Sequence, residues 1–456
     1  MAGIGFELRK LLRTGSLLGL VRAYGYAGLI SSGPWVLSIV GVMLIGTASV
    51  RRFGPSPDVI RFLVSVTYLM AGSLILTGFL QLLYTRYVAD RLFEKKRELV
   101  LPNLLGSLTI TSLVSGTLGA LVLATLFKEG LVYRLLMLSS FVVLSDLWIL
   151  ICLLSGLKSY RAILAIFAVG YGISIGAAVL FDRWGLEGLL GGFFFGQAMM
   201  FFLMLAVVIR GYPAEQLVAW DFLNRKKVFF SLSLTGFLYN VGIWADKFLF
   251  WMNPNTSQPV IGPLRASMLY DLPIFIAYLS IIPGMAVFLV RIETDFAEQY
   301  TSFYKSVREG DTLSHLEYLK DSMVYAIRQG IYEIFRVQGM TIVVLLLAGP
   351  ALLKLLGIPP VFQQLLNIDL VGVGVQVMLL AILCVFFYLD ARGAALLLCA
   401  MFATTNLVFT YATQLLGPRY YGYGFACSVG LTSFVGLILL SRKLDRLEYE
   451  TFMLQH

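Results

Sequence analysis

Charged side chains are scarce in this chain of 456 residues: they make up 13% of it, whereas soluble domains carry about 25%. An ordinary soluble protein is excluded, because 59% of the residues are hydrophobic and the mean hydropathy is +0.83. These values predict an integral membrane protein. The net charge of +9 does not indicate nucleic-acid binding, because basic residues in membrane proteins generally follow the insertion topology.

Histidine and cysteine are also rare, which limits the available chemistry. Neither of the two histidines, His315 and His456, lies in a membrane helix with a partner carboxylate for metal binding or acid–base work. A P-loop lysine motif and paired carboxylates on the outer loops are missing too. We therefore expect no enzyme, no cofactor and no metal site. The four cysteines fall in apolar runs without paired spacing, which indicates small hydrophobic side chains.

Long apolar runs are what the sequence has in abundance. They are about twenty residues long and unpatterned, which suits membrane-spanning helices and excludes the short alternating strands of a barrel. Twelve spans are predicted, at residues 24–48, 62–85, 103–127, 133–156, 160–181, 186–209, 228–252, 268–290, 337–356, 369–389, 393–416 and 420–441. The expected fold class is an all-α polytopic membrane protein with about 12 transmembrane helices.

Arginine and lysine are distributed unevenly between the two sides of the membrane. The face shared by the termini has 25 of the 35, the other face has nine, and Lys247 lies within a helix. This bias predicts cytoplasmic termini. We expect an amphipathic cytoplasmic N-terminal helix at 1–22, a first six-helix lobe at 23–209, a basic cytoplasmic linker at 210–227, a second six-helix lobe at 228–441 and a cytoplasmic tail at 442–456.

The one long inner connection, about residues 291–336, has a helical pattern of its own. Aromatic and apolar residues recur at helical spacing, the pattern breaks at Gly310 and Asp311, and it then resumes. The stripe on the first arm consists of Phe296, Tyr300, Phe303, Tyr304 and Val307. The pattern predicts a helical hairpin that continues the eighth and ninth spans into the cytoplasm, and the aromatic stripe favours a docking face for a partner. The alternative is a solvated, charge-rich linker.

Ionisable side chains inside the spans are candidate functional residues, because they are costly to place in lipid. Asp146 lies near the middle of the fourth span, beside Trp148. It either faces substrate or a wet cavity, or it accepts a hydrogen bond from a neighbouring helix.

Asp246 and Lys247 form a second candidate group, in the outer half of the seventh span. Adjacent residues are about 100° apart on a helix, so we expect the two side chains not to address one partner. Asp271 and Arg265 at the start of the eighth span could come close to them. The group is either a substrate contact or gate near the outer exit, or a structural ion-pair cluster.

Aromatic and polar residues of the first and seventh spans could provide platforms for sugar rings. Both spans have a Gly-x-Trp step, which places Trp35 in the first and Tyr239, Asn240 and Trp244 in the seventh. The alternative is packing in the core or in the interfacial aromatic belt. The matching steps also leave open whether the two halves are parallel repeats.

The opening MAGIGFELRKLL, the later SSGPW and the six-plus-six arrangement resemble a known family. The architecture looks like the multidrug/oligosaccharidyl-lipid/polysaccharide (MOP) superfamily of flippases, and the opening residues resemble the inner-membrane transporters of the Pel exopolysaccharide system. The resemblance implies two lobes around a cavity that opens alternately to each side, lined by the first and seventh helices. It also implies export of an amino-sugar-containing polysaccharide, made by a cytoplasmic glycosyltransferase, in a complex with other Pel proteins of the bacterial inner membrane.

Three functions stay open at this stage. The chain could conduct the polymer or its carrier, it could be a membrane scaffold for the glycosyltransferase, or it could be a small-molecule antiporter with Asp146 as its cation-coupling carboxylate. Carboxylates that face a cavity would favour the first, and polar groups paired between helices would favour the second. The resemblance implies a partly cationic polymer, which an acidic path with Asp146 and Asp246 would suit.

Overall fold

The computed structural model describes residue 25 and residues 27–28, 37–46, 56–157, 159–224 and 229–453 of the chain. The predicted N-terminal helix at 1–22, part of the basic linker and the end of the tail lie outside these residues.

Helices form nearly all of the described part. In chain order they are α1 (Leu37–Gly46), α2 (Pro57–Phe93), α3 (Val100–Leu126), α4 (Leu131–Gly156), α5 (Tyr160–Phe181), α6 (Gly185–Gly211), α7 (Phe230–Met252), α8 (Met268–Leu279), α9 (Ile282–Val290), α10 (Ala297–Glu309), α11 (Leu313–Leu355), α12 (Gln363–Tyr388), α13 (Arg392–Leu416), α14 (Tyr423–Asp445) and α15 (Leu447–Met453). Two short antiparallel strands, β1 (Gln258–Ile261) and β2 (Leu264–Ala266), follow α7.

The predicted all-α polytopic fold class is confirmed. Ten helical stretches of the described part are long and apolar enough to cross a membrane. α7, with 23 residues, and α1, which covers part of the predicted first span, are consistent with about 12 in all. A helix satisfies its backbone hydrogen bonds internally, which is why long apolar runs adopt this form in lipid.

The first of two compact units comprises Pro34–Met268, with α1 to α7 and the strands. Glycine allows α7 and α2 to cross closely, because a Cβ at Gly236 would lie 2.4 Å from the backbone oxygen of Gly78. By its contacts α7 therefore groups with the helices that precede it, whereas the predicted lobes at 23–209 and 228–441 assign it to those that follow.

The second unit comprises Met1–Gly33 and Leu269–His456. One of its helices is interrupted: α8 ends at Leu279, and α9 starts at Ile282 with Pro283 in its first turn. In a regular helix the Gly284 N–H would donate to the Ser280 carbonyl. Instead it donates to Gln338 Oε1 over 3.1 Å, and Gln338 Nε2 donates to the Ser280 oxygen over 3.1 Å. The amide of Gln338, on α11, thus replaces one rung of the helical ladder.

A helical hairpin extends from α9 in the same unit. α9 continues through a π-helical segment, Arg291–Phe296, into α10, which ends where Gly310 adopts a left-handed φ of 74°. The return helix α11 has 43 residues. At 1.5 Å per residue it is about 65 Å long, roughly twice the thickness of the hydrocarbon core, so one end of α11 extends beyond the membrane.

Candidate functional site

Asp146 is buried on α4 and is bound by a neighbouring helix. Its side chain is 5% exposed, and the Ser112 hydroxyl on α3 donates to its Oδ2 over 2.6 Å. Within the described part of the chain, Oδ1 has no hydrogen-bond partner. The carboxylate therefore joins two helices and keeps one oxygen for a proton, a cation or an amine.

Trp148 makes a polar link on the same helix. Its indole N–H donates to the Ser73 hydroxyl of α2 over 2.9 Å, and its ring is buried. Asp146 and Trp148 therefore fix α4 against α3 and α2 respectively, and in the first unit both side chains have a packing role.

Asp246 and Lys247 lie together on α7 and are bonded to each other. Lys247 Nζ lies 2.9 Å from Asp246 Oδ2 and 2.9 Å from the Ile243 backbone oxygen. The long lysine stem lets the ammonium fold back onto the neighbouring carboxylate although the two residues are about 100° apart on the helix. The prediction that the two side chains do not address one common partner stays a prediction. Both side chains are fully buried, at 0% and 1% exposure. They form an ion pair within α7.

The remaining candidates of the seventh span lie along α7. Asn240 is buried and donates to the Gly236 backbone oxygen over 3.0 Å, at the crossing with α2. Trp244 is buried, with its ring centroid 6.2 Å from that of Trp251, and Tyr239 is half-buried. Trp35 of the first span lies outside the described residues.

The strand hairpin after α7 is fastened to α2. Tyr68 of α2 donates its hydroxyl proton to the Arg265 backbone oxygen over 2.9 Å, and its ring stacks on Trp251 at 4.4 Å. Arg265 in turn donates from Nε to the Ser257 hydroxyl over 2.8 Å. Arg265 thus belongs to the first unit, whereas Asp271 is half-buried on α8 of the second.

The aromatic stripe on the first arm of the hairpin is covered within the protein. Phe296 and Phe303 are fully buried, and the Phe296 and Tyr300 rings pack against Tyr388 of α12 at 5.3 and 5.5 Å. Burial raises the pKa of the Tyr304 hydroxyl above its usual value, and a hydrogen bond with Thr451 partly offsets this. The stripe on α10 is therefore not a free docking face, because α12 and the tail helix α15 use it.

Charged side chains fix the base of the hairpin. Arg291 donates to Glu333 of α11 over 2.6 Å and to Asp295 over 2.8 Å. Glu293 accepts from the Tyr388 hydroxyl of α12 over 3.0 Å. These bonds join the π-helical segment to α11 and α12, and so fix the base of the hairpin against these two helices of the second unit.

Two buried polar residues were not predicted from the sequence. Asp369 on α12 is fully buried, and Gln338 on α11 completes the interrupted helix. Both stand at the predicted edges of spans, at 369 and next to 337, where polar residues are ordinarily attributed to the interface. The available signal was the position of each polar residue within the first turn of a predicted apolar span.

A family comparison bears on this architecture. A family model described as "PelG: Putative exopolysaccharide Exporter (EPS-E)" matches residues 1–452. A search of curated proteins finds no match.

Solved structures with a similar fold are MOP superfamily transporters. An outward-facing multidrug resistance MATE family transporter is 14% identical, with a TM-score of 0.62, over 93% of this chain and 97% of that chain. An inward-facing one is 13% identical, with a TM-score of 0.63, over 91% and 95%. A MOP superfamily transporter from Pyrococcus furiosus is 14% identical, with a TM-score of 0.62, over 93% and 97%. At these identities the likeness shows the fold.

Proposed function

Because the chain belongs to the PelG family of exopolysaccharide exporters, we propose that it moves an amino-sugar-containing, Pel-like exopolysaccharide across the bacterial inner membrane. The family match over residues 1–452 and the MOP transporter fold support membrane transport of a polysaccharide. The amino-sugar chemistry is the further step, and it rests on the charges inside the membrane helices.

Buried carboxylates dominate the charged groups of these helices. Asp146, Asp246 and Asp369 are all less than about a tenth exposed, and the buried lysine Lys247 is bound to one of them. An acidic interior favours a cationic or neutral amino sugar and disfavours a polymer rich in uronic acids, since like charges repel strongly away from water.

Charge-removing variants test this path. Asp146→Asn preserves the shape and can still accept from Ser112, whereas Asp246→Asn with Lys247→Met removes both charges of the α7 ion pair together. We expect each variant to lower export of the polymer severalfold, measured with an amino-sugar-binding lectin and normalised to the amount of transporter in the membrane. Asp58→Asn, at an exposed pair with Arg61, is the matched control. Export at the wild-type level in both variants would contradict the acidic path.

Orientation and partners are part of the same proposal. Both termini and the hairpin lie in the cytoplasm, as the arginine and lysine distribution supports. The hairpin then faces the compartment where a glycosyltransferase makes the polymer, and the chain works with that enzyme and other Pel inner-membrane proteins through it. Ser314, exposed near the tip, is then reachable only from the cytoplasm.

A scaffold function is favoured by one observation. Asp246 is paired with Lys247, and Asp146 is bound to Ser112 on another helix, as in a purely structural bundle. Reconstitution separates the two functions: the purified chain in liposomes should transfer an amino-sugar oligosaccharide across the bilayer. A chain that binds the glycosyltransferase and transfers no glycan would be a scaffold.

A further inference from the structure

An open cleft lies between the two arms of the hairpin, beyond the membrane. It has a volume of about 540 Å³ and is formed by residues between Arg291 and Gln329. The apolar span of α11 begins at about residue 337, so the cleft lies wholly outside the lipid. Its volume falls in the range of about 300 to 1,000 Å³ that is typical of small-molecule sites.

Two tyrosines line this cleft, Tyr318 and Tyr325 of α11. The two residues are 67% and 68% exposed, so their rings are accessible to a ligand in the cleft. Seven residues on a helix return to nearly the same face, about 10 Å further along the axis. Tyr332, which is 58% exposed, repeats the step once more towards the membrane span. The hairpin therefore carries a ladder of aromatic platforms that leads to the bilayer.

The rest of the lining is polar and acidic. Gln299, Gln329 and Ser322 are its polar residues; Gln329 donates to Glu333 over 3.0 Å, and the Ser322 hydroxyl donates to the Tyr318 backbone oxygen over 2.9 Å. Its three carboxylates are those of Asp295, Glu298 and Asp321; Asp295 lies 2.8 Å from Arg291, and Asp321 lies 3.9 Å from Lys320. Among the ten described lining residues, Ala326 has the largest aliphatic side chain. Arg291 is the one cation of the lining, and it is bound to Asp295 and Glu333. Over the ten lining residues, three carboxylates stand against this one guanidinium, so the lining itself carries net negative charge.

This composition selects among occupants. A partner helix docks in an apolar groove through several aliphatic anchors, and Ala326 is the one aliphatic side chain among the lining residues. Sugar rings have apolar C–H faces that stack on tyrosine, and their hydroxyl or acylamino groups suit glutamine and serine. A free amino group of a sugar is an ammonium ion that carboxylates bind by charge-assisted hydrogen bonds.

We propose that the hairpin cleft is a binding site for an amino-sugar oligosaccharide segment, held between Tyr318 and Tyr325. The proposal rests on the proposed export function, for which it supplies a receiving site on the cytoplasmic side. Tyrosines two turns apart engage sugar rings separated along an extended glycan, and the acidic lining excludes glycans that carry uronic acids.

Binding to the purified full chain tests the proposal without any transport step. The probes are a chito-oligosaccharide hexamer with free amines, its N-acetylated form and an oligogalacturonate of the same length. Their binding is measured by calorimetry and by saturation-transfer NMR. We expect the free-amine hexamer to bind most tightly, the N-acetylated form less tightly and the oligogalacturonate not at all. Tyr318→Ala with Tyr325→Ala should weaken both hexamers at least about tenfold.

Two further variants separate stacking from charge. Glu298→Gln with Asp321→Asn should weaken the free-amine hexamer and leave the N-acetylated one unchanged. Tyr449→Ala, at an exposed tyrosine of the tail helix, is the control and should bind like the wild type. All four tested side chains are exposed, so these variants leave the core intact, and gel filtration checks this.

Three results would overturn the proposal. They are no binding of either hexamer by the wild type, equal binding by the double tyrosine variant, or loss of a copurifying glycosyltransferase in that variant with glycan binding unchanged. The last result would assign the tyrosines to a protein interface. Transfer of oligosaccharide by reconstituted wild-type chain is scored separately, so the cleft can fail while the export function stands.

Discussion

The amide of Gln338 holds an interrupted membrane helix together, and replacing it should destabilise the second unit. In Gln338→Met the side chain keeps its length and loses both hydrogen bonds, to the Gly284 N–H and the Ser280 carbonyl. The site is 2% exposed, so water does not readily replace them. Pro283 prevents the helix from closing by itself, because its ring clashes with the preceding turn.

The size of the effect follows from the two groups left unbonded. Each unsatisfied buried backbone group costs about 1 to 3 kcal/mol, so the free energy of unfolding should fall by roughly 2 to 6 kcal/mol. The measurement is SDS-induced unfolding of the purified chain, with the loss of helix followed by far-UV circular dichroism. Gln376→Met is the matched control, because this buried glutamine of α12 accepts no hydrogen bond at Oε1 within the described part of the chain. Equal midpoints for the two variants would refute the ladder interpretation.

The remaining predictions concern the tail and the orientation. The hydrogen bond to Glu448, at 2.6 Å, raises the pKa of Lys320. A raised folded-state pKa gives stability that is present below the unfolded value of about 10.4 and lost as the pH rises through the folded value. Glu448→Gln should therefore lower the hydrogen-exchange protection of α15. The loss should be less than about 1 kcal/mol, because the pair is partly exposed, and it should be the same from about pH 6 to about pH 9. A difference that vanishes within this range would contradict the assignment to Lys320. Ser314→Cys, combined with Cys427→Ser because Cys427 is an exposed free thiol, should react with a membrane-impermeant thiol reagent only after the inner membrane is opened. Labelling of intact spheroplasts would reverse the proposed topology.

The fold class was predictable because the membrane imposes a simple rule on the backbone. Apolar runs of about twenty residues must be helical in lipid, and their number follows from hydropathy and from the loop charges. Packing between helices is another matter. The close approach of α7 to α2 depends on the contact between Gly236 and Gly78. These glycines are far apart in sequence, and no local pattern predicts that they pack together.

The candidate site was only partly predictable, and side-chain reach is the reason. Helical spacing separates Asp246 from Lys247 by about 100°, yet a lysine stem is long enough to return to its neighbour. Periodicity likewise identified an aromatic face on α10 without identifying what covers it. The covering groups are Tyr388 and the tail helix, which come from later parts of the chain.

One helix, α11, contains both the second arm of the hairpin and an apolar span. The polar arm passes into the apolar span near residue 337, and α11 runs unbroken from Leu313 to Leu355. The hydrogen-bond ladder of a helix does not depend on whether water, protein or lipid surrounds it, and the side chains change with the surroundings. Tyr325 in the cleft and Gln338 in the interrupted helix are thirteen residues apart on this one rod, about 20 Å along its axis. An unbroken helical hydrogen-bond ladder therefore connects the cleft with the point where α8 and α9 are joined.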